Sequence, residues 1–213
     1  KHQNKYPVVF ISLKGAAGNS FEDAKARIRA IMSAEAIRHS YLKNSDKLEE
    51  SEKKYLLKLM NCILEPMDIT DSLAILTSLL CKHYNRKVIL LVDEYDVPLD
   101  KAFLNGYYND MVGFIRTFLG GALKTNDNTE FAVVTGCLRI SKESIFTGLN
   151  NFSTFTITDD LFSQYFGFTD AEVKEMLDYY GVSDYYSTAK DWYDGYSFGK
   201  TEIYCPWDVL NYC

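Results

Sequence analysis

Lys87-Val88-Ile89-Leu90-Leu91-Val92-Asp93-Glu94-Tyr95-Asp96 is the stretch that decides the fold. Five apolar residues, Val88 to Val92, run without a polar break and then stop at two acids, with a third two positions on. An unbroken run of this length predicts a strand covered on both faces, as in a parallel sheet flanked by helices. Two further segments read the same way. Pro7 to Leu13 contains the apolar run Val8-Val9-Phe10-Ile11, and Phe131-Ala132-Val133-Val134 ends at Thr135-Gly136. Helical periodicity fills the intervals. It places helices over about Phe21 to Tyr41, from the charged stretch Lys43 to Lys54 onward, over about Thr70 to Tyr84, and over about Tyr107 to Lys124. Strands alternating with helices predict an α/β fold.

In open α/β sheets the carboxyl ends of the strands line the ligand crevice. An apolar strand closing on Asp-Glu has the form of a Walker B motif. In that reading Asp93 holds Mg²⁺ through water, since the ion takes oxygen ligands in an octahedron, and Asp96 is a further candidate ligand. Glu94 orients and polarises the water that attacks the γ-phosphate. The plainer reading is that the acids mark the return of a buried strand to solvent. Thr135 stands at the end of the neighbouring strand. Arg139, just beyond it, suits bidentate contact with a phosphate, and equally a salt bridge to Glu94 or Asp96.

The bulk properties narrow the classes. The chain has 213 residues, 47% of them hydrophobic, enough for one α/β domain with a small lobe. The net charge of −6 gives no global footprint for nucleic acid. Five scattered cysteines without a Cys-x-x-Cys pair suggest neither a zinc site nor a disulfide framework, and read as reduced thiols of a cytoplasmic protein. No apolar run approaches the roughly 20 residues of a membrane span. There is no signal peptide, and Lys1 in place of an initiator methionine makes the start read as internal.

Gly15-Ala16-Ala17-Gly18-Asn19-Ser20 sits where a phosphate loop would join strand to helix. Asn19 occupies the place of the required lysine, so the segment reads as an ordinary turn, with Ser20 and Asp23 as a capping box. A polar loop is expected through Gly106, and alternation over Phe152 to Ile157 predicts a last, half-buried strand. Beyond about Asp160 the chain changes character. Thr169-x-x-Glu172 caps a short helix that stops at Gly181, and the rest is aromatic and turn-rich. The expected organisation is an α/β core over 1–160 and a small, mainly helical lobe over 161–213. Packing of that lobe accounts for Trp192, Tyr193, Tyr196 and Trp207, with a contact surface as the alternative.

Several stretches taken in order resemble the bacterial AAA-ATPase-like family. They are Val92 to Leu99, Asn105-Gly106-Tyr107-Tyr108, Thr135 to Ile140 with Lys142 to Phe146, and Gly148 to Asn151. Tyr165 to Thr169, Trp192 to Tyr196 and Tyr204 to Tyr212 continue the series. The resemblance implies a P-loop ATPase core with an extra strand between Walker A and Walker B. It makes Asp93 the magnesium acid, Glu94 the catalytic base, Thr135 a polar sensor and Arg139 a phosphate or inter-segment contact. It also implies ATP and Mg²⁺ as the parent's ligands, and a restriction-endonuclease-like domain downstream in many relatives as a partner for ATP turnover. The family's phosphate loop lies upstream of the point where this sequence starts. Its strand is expected between Phe131–Thr135 and Phe155–Ile157.

A phosphate loop supplies several charge-assisted hydrogen bonds of about 1.5–3 kcal/mol each. Their absence costs several powers of ten in ATP affinity, since about 1.4 kcal/mol is tenfold. This chain alone is therefore expected not to hydrolyse ATP. Two rivals stand beside the ATPase reading: a non-hydrolysing interaction or regulatory module on the same scaffold, and metal-dependent hydrolysis by Asp93, Glu94 and Asp96 themselves.

Overall fold

The computed structural model describes residues 2–65, 69–124, 126–137 and 152–213. The chain divides into two compact units, Lys1–Asn150 and Asn151–Cys213, meeting ahead of the residue where the composition shifts.

The first unit is built on three parallel strands, β1 (Val8–Ser12), β2 (Val88–Asp93) and β3 (Thr129–Val134), in the order β1-β2-β3. The helices are α1 (Phe21–Arg38), α2 (Glu50–Met60), α3 (Ser72–Tyr84), α4 (Val97–Leu104) and α5 (Tyr108–Leu123). Helix α1 packs on β1, α3 on β2 and α5 on β3. Leu73, Leu76 and Leu80 of α3 are fully buried, as are Met111, Ile115 and Phe118 of α5, at the spacing their periodicity predicts.

The segment after Pro98 is a helix rather than the expected loop. Proline lies in the first turn of α4, where its missing N–H removes no helical hydrogen bond. The charged run from Lys43 is likewise not yet α2. A 3₁₀ turn covers Ser40–Asn44, and α2 begins at Glu50 behind its own capping box.

Cover on both faces of the sheet is only half realised. Val9, Ile11, Leu90 and Val92 share one face and are at most 2% exposed. The register puts Val8 beside Ile89 and Phe131, and Phe10 beside Leu91 and Val133, on the other face. There Phe10 and Val133 are both 45% exposed. Central Ile89 is sheltered at 6% while the flanking strands stay open.

Strand β1 is an edge, and its outward backbone is managed from α1. Glu35, 3% exposed, accepts a hydrogen bond from the Phe10 N–H at 2.9 Å. The same carboxylate lies 3.2 Å from His39 Nε2 and accepts from Arg38 Nη1 at 2.7 Å.

The second unit combines its helices with a small sheet. It holds a three-stranded antiparallel sheet of β4 (Phe168–Thr169), β5 (Asp194–Phe198) and β6 (Thr201–Tyr204), in the order β4-β6-β5. The turn between β5 and β6 places Gly199 at φ +53°, in the left-handed region. Helices α6 (Asp170–Tyr179), α7 (Tyr186–Tyr193) and α8 (Pro206–Tyr212) complete the unit around Val173, Leu177, Ala189, Tyr204 and Val209. The capping box of α6 forms as expected: Thr169 N–H donates to Glu172 Oε2 at 2.8 Å, and Glu172 N–H to Thr169 Oγ1 at 3.4 Å.

Phe152 to Ile157 is not a strand, and neither sheet of the described residues includes it. Nor do the tryptophans fill the core, since Trp192 is 74% and Trp207 75% exposed. That place is taken by Tyr204, whose hydroxyl donates to Asp170 Oδ1 at 2.9 Å; Tyr186 donates to the same oxygen.

Hydrogen bonds from Lys174, then from Tyr186 and Tyr204, outweigh desolvation and push the Asp170 carboxyl down to about 2. A depressed native pKa means stabilisation that is complete above the unfolded value near 3.8 and is lost as pH falls toward 2. Acid titration followed by tyrosine fluorescence is expected to show the second unit weakening across that window. In Asp170→Asn this pH dependence disappears, and a transition unchanged by the substitution contradicts the assignment.

Candidate functional site

The site grows out of the carboxyl ends of the three strands. Ser12 pairs with Asp93 across β1 and β2. Hydrogen bonding between β2 and β3 continues past Val134: Thr135 N–H donates to Val92 O at 2.9 Å, and Tyr95 N–H to Thr135 O at 3.1 Å. These bonds carry Thr135 to Asp93, and its hydroxyl donates to Asp93 Oδ1 at 2.5 Å. This contact holds one oxygen of Asp93 in place. The residues predicted as magnesium acid and polar sensor are thus brought together, from positions 42 apart in sequence.

Glu94 leaves the strand with φ +53°. A non-glycine residue in left-handed backbone costs about 1–2 kcal/mol. Such strain persists where surrounding structure fixes it, and functional sites are where it collects. Here it turns the chain out of β2 toward α4, and leaves Asp93 and Glu94 half-exposed while Tyr95 and Asp96 are buried.

Asp96 differs from its two acidic neighbours. It is 3% exposed and stands at the N-cap of α4, with its carbonyl accepting from the Leu99 and Asp100 N–H groups. Gly136 faces it closely. A Cβ on that glycine would lie 2.7 Å from both Asp96 Oδ1 and Tyr95 Cε1. The Thr135-Gly136 pair therefore works as a unit, threonine toward Asp93 and glycine to admit the Tyr95-Asp96 turn. The sequence reading singled out Thr135 and passed over Gly136 and Ser12. The small residue after the strand was the available signal.

The Gly15–Ser20 segment is a joint. A 3₁₀ turn covers Leu13–Ala16, Ser20 Oγ accepts from Asp23 N–H at 3.2 Å, and Asp23 Oδ2 accepts from Asn19 N–H at 3.1 Å. The helix end is occupied by its own residues. Gly18 is required for packing, because a Cβ would come within 2.4 Å of the Ala24 nitrogen, and its carbonyl accepts from Tyr107 OH at 2.6 Å.

Arg139 lies outside the described residues, as do the motif residues from Leu138 to Asn151. Among the described residues no three His, Cys, Asp or Glu side chains gather into a metal-binding group. The donors that do meet, one carboxylate and one hydroxyl, suit an ion that keeps most of its water and is shared with phosphate oxygens.

The family model described as predicted AAA-ATPase matches residues 1–146. The chain belongs to that AAA-ATPase-like family. It is also similar to an uncharacterized protein in the vnfD 5' region of Azotobacter chroococcum mcd 1, at 28% identity over 127 residues. That similarity covers 58% of this chain and 24% of the relative, so the chain spans about a quarter of the curated protein that it matches. No solved structure matches. Membership supports a general ATPase-like role for a parallel α/β chain of this kind. No helix among the described residues is long and apolar enough to cross a membrane.

Proposed function

We propose that this AAA-ATPase-like chain supplies the Walker B and sensor edge of an ATP site, completed by a phosphate loop from elsewhere in its parent protein. The observation that carries the reading is the Thr135 hydroxyl held on Asp93 at the carboxyl edge of a parallel sheet, beside Glu94 in left-handed backbone.

The division of labour follows from the positions. Asp93, with Oδ1 fixed by Thr135, would hold the hydrated cation through Oδ2. Magnesium, when bound, offsets charge on the phosphate oxygens. Glu94 would orient the attacking water and accept its proton on the side-chain carboxylate. Thr135 links the two strands and reports on Asp93. Arg139 is proposed as a phosphate or inter-segment contact. Asp96, buried at the start of α4, is better placed to shape the turn than to ligate. The outer edge of β3 is where the phosphate-loop strand would add, and the open face of Phe10, Phe131 and Val133 would take a helix of the completed layer. In the parent, ATP turnover would drive a partner or a nuclease-like domain. The family supports a protein acting on nucleotide, the acidic charge gives no footprint for nucleic acid, and a cytoplasmic location is proposed with them.

Calorimetry with Mg-ATP tests the reading, on this chain and on a version extended upstream through a phosphate loop. The extended protein is expected to bind and this chain to bind at least about 100-fold more weakly, from the loss of two or more charge-assisted hydrogen bonds. Asp93→Asn is expected to weaken the extended form. Binding by neither form makes the acidic strand end structural. Turnover by this chain that vanishes in Asp93→Ala would place a complete site within it.

A further inference from the structure

The charge of the molecule is unevenly divided. Residues 151–213 carry eleven Asp and Glu against three Lys, a net charge of −8, whereas residues 1–150 total +2. The three lysines are engaged by the unit's own acids: Lys174 with Asp170 at 2.8 Å, Lys190 with Glu202 at 3.1 Å and Asp194 at 3.5 Å, and Lys200 with Asp160 at 3.2 Å. The remaining carboxylates present a field without compensation from within the unit.

An open groove of about 440 Å³ runs along α6 in this acidic unit. Helix α6 turns Val173 and Leu177 into the core, both fully buried. Its other side offers Glu172, Glu175, Met176 and Tyr179, at the i, i+3, i+4 and i+7 spacing of one helical stripe. Leu210 of α8 lines the groove too, 53% exposed, and Tyr179 is 83% exposed. Apolar and aromatic surface flanked by carboxylates lines the groove. Glu172 is pinned by the capping box, so Glu175 is the acid available for an incoming charge.

We infer that the α6–α8 groove is a docking site for a cationic amphipathic polypeptide segment of about three helical turns. The ten residues of α6 span about 15 Å, which matches such a segment in length. Apolar side chains of the segment enter between Met176 and Leu210. Its lysines or arginines meet Glu175 and the faces of the tyrosines, where a cation is attracted to the ring. Anionic ligands are repelled by the same field, which sets this surface apart from the nucleotide edge of the first unit in chemistry. The inference does not rest on the ATPase reading.

The test is fluorescence anisotropy on the whole 213-residue chain with a labelled peptide of leucine and lysine in helical repeat. A leucine–glutamate peptide of the same pattern is the control. Saturable binding of the lysine peptide is expected, weakened at least tenfold by Tyr179→Ala combined with Leu210→Ala, and weakened further by Glu175→Lys. Trp192→Ala, an exposed change outside the groove, leaves it unchanged. Circular dichroism confirms that each variant is folded. Absence of saturable binding overturns the inference. So does equal binding of the glutamate peptide, affinity insensitive to Tyr179 and Leu210, or sedimentation showing that the groove is covered by a second copy of the chain.

Discussion

Glu94→Gln, in a parent protein that carries the proposed phosphate loop, is expected to lower ATP turnover at least about 100-fold while ATP affinity stays within a few-fold. A positioned general base contributes about 10²–10⁴ to rate, and the amide keeps the side chain's size but removes the proton acceptor. In the proposed site ground-state binding would rest on Asp93 and the phosphate contacts, so the substitution would remove an interaction made only in the transition state. Single-turnover hydrolysis and equilibrium binding, measured side by side, separate the two quantities. Equal losses in both would make Glu94 a structural residue of the left-handed turn. Unchanged turnover would remove it from the chemistry altogether.

Glu35→Ala is expected to lower the melting temperature of this chain by about 4–24 °C. The carboxylate serves the Phe10 N–H of an edge strand and the buried His39 ring at once. Each buried polar group left without a partner costs about 1–3 kcal/mol, giving about 2–6 kcal/mol for the two. At this chain length 1 kcal/mol moves the midpoint by about 2–4 °C. Burial by itself raises the Glu35 pKa, but the hydrogen bonds from His39 and Phe10 and the charge of Arg38 together hold it below the ordinary carboxylate value. The native pKa being depressed, this contribution is present above the unfolded pKa and fades as pH falls through the native one. Glu35→Gln keeps an acceptor for Phe10 and is expected to lose less than half as much. Calorimetric scans of the three proteins decide it, and equal midpoints for wild type and alanine variant would refute the role given to Glu35.

What the sequence disclosed was mostly local. The unbroken run of β2, the periodic stripes of α3 and α5 and the Thr169–Glu172 box depend on neighbours within a few residues, and each formed where its pattern lay. Helix α4 was missed because the residues up to Gly106 were read as a polar, glycine-containing loop, although Pro98 fits a first helical turn. Alternation over Phe152–Ile157 resembled a strand, but alternation is a local signal, and neither sheet of the described residues takes that segment in. The β5–β6 hairpin hid behind its aromatic and glycine residues. Of the site, Asp93 and Glu94 were legible as a strand end, and Thr135 as the end of a second one. Their meeting was not, since it depends on register between β2 and β3. Nor was the shielding of Asp96 beneath Gly136, a matter of tenths of an ångström.

The parallel order of the sheet also sets a schedule for making the protein. Val8 aligns with Ile89, about eighty residues away, and Thr129 follows some forty residues after Val88. At about 5–20 residues per second of synthesis, β1 leaves the ribosome roughly 4–16 s before β2, its neighbour in the sheet, exists. During that interval Val8, Val9, Phe10 and Ile11 have no strand to join, while α1 can form at once and bring Glu35 to the waiting Phe10 N–H. The long-range pairing that follows is of the slow kind. The edge-guarding carboxylate is thus in place before the edge is.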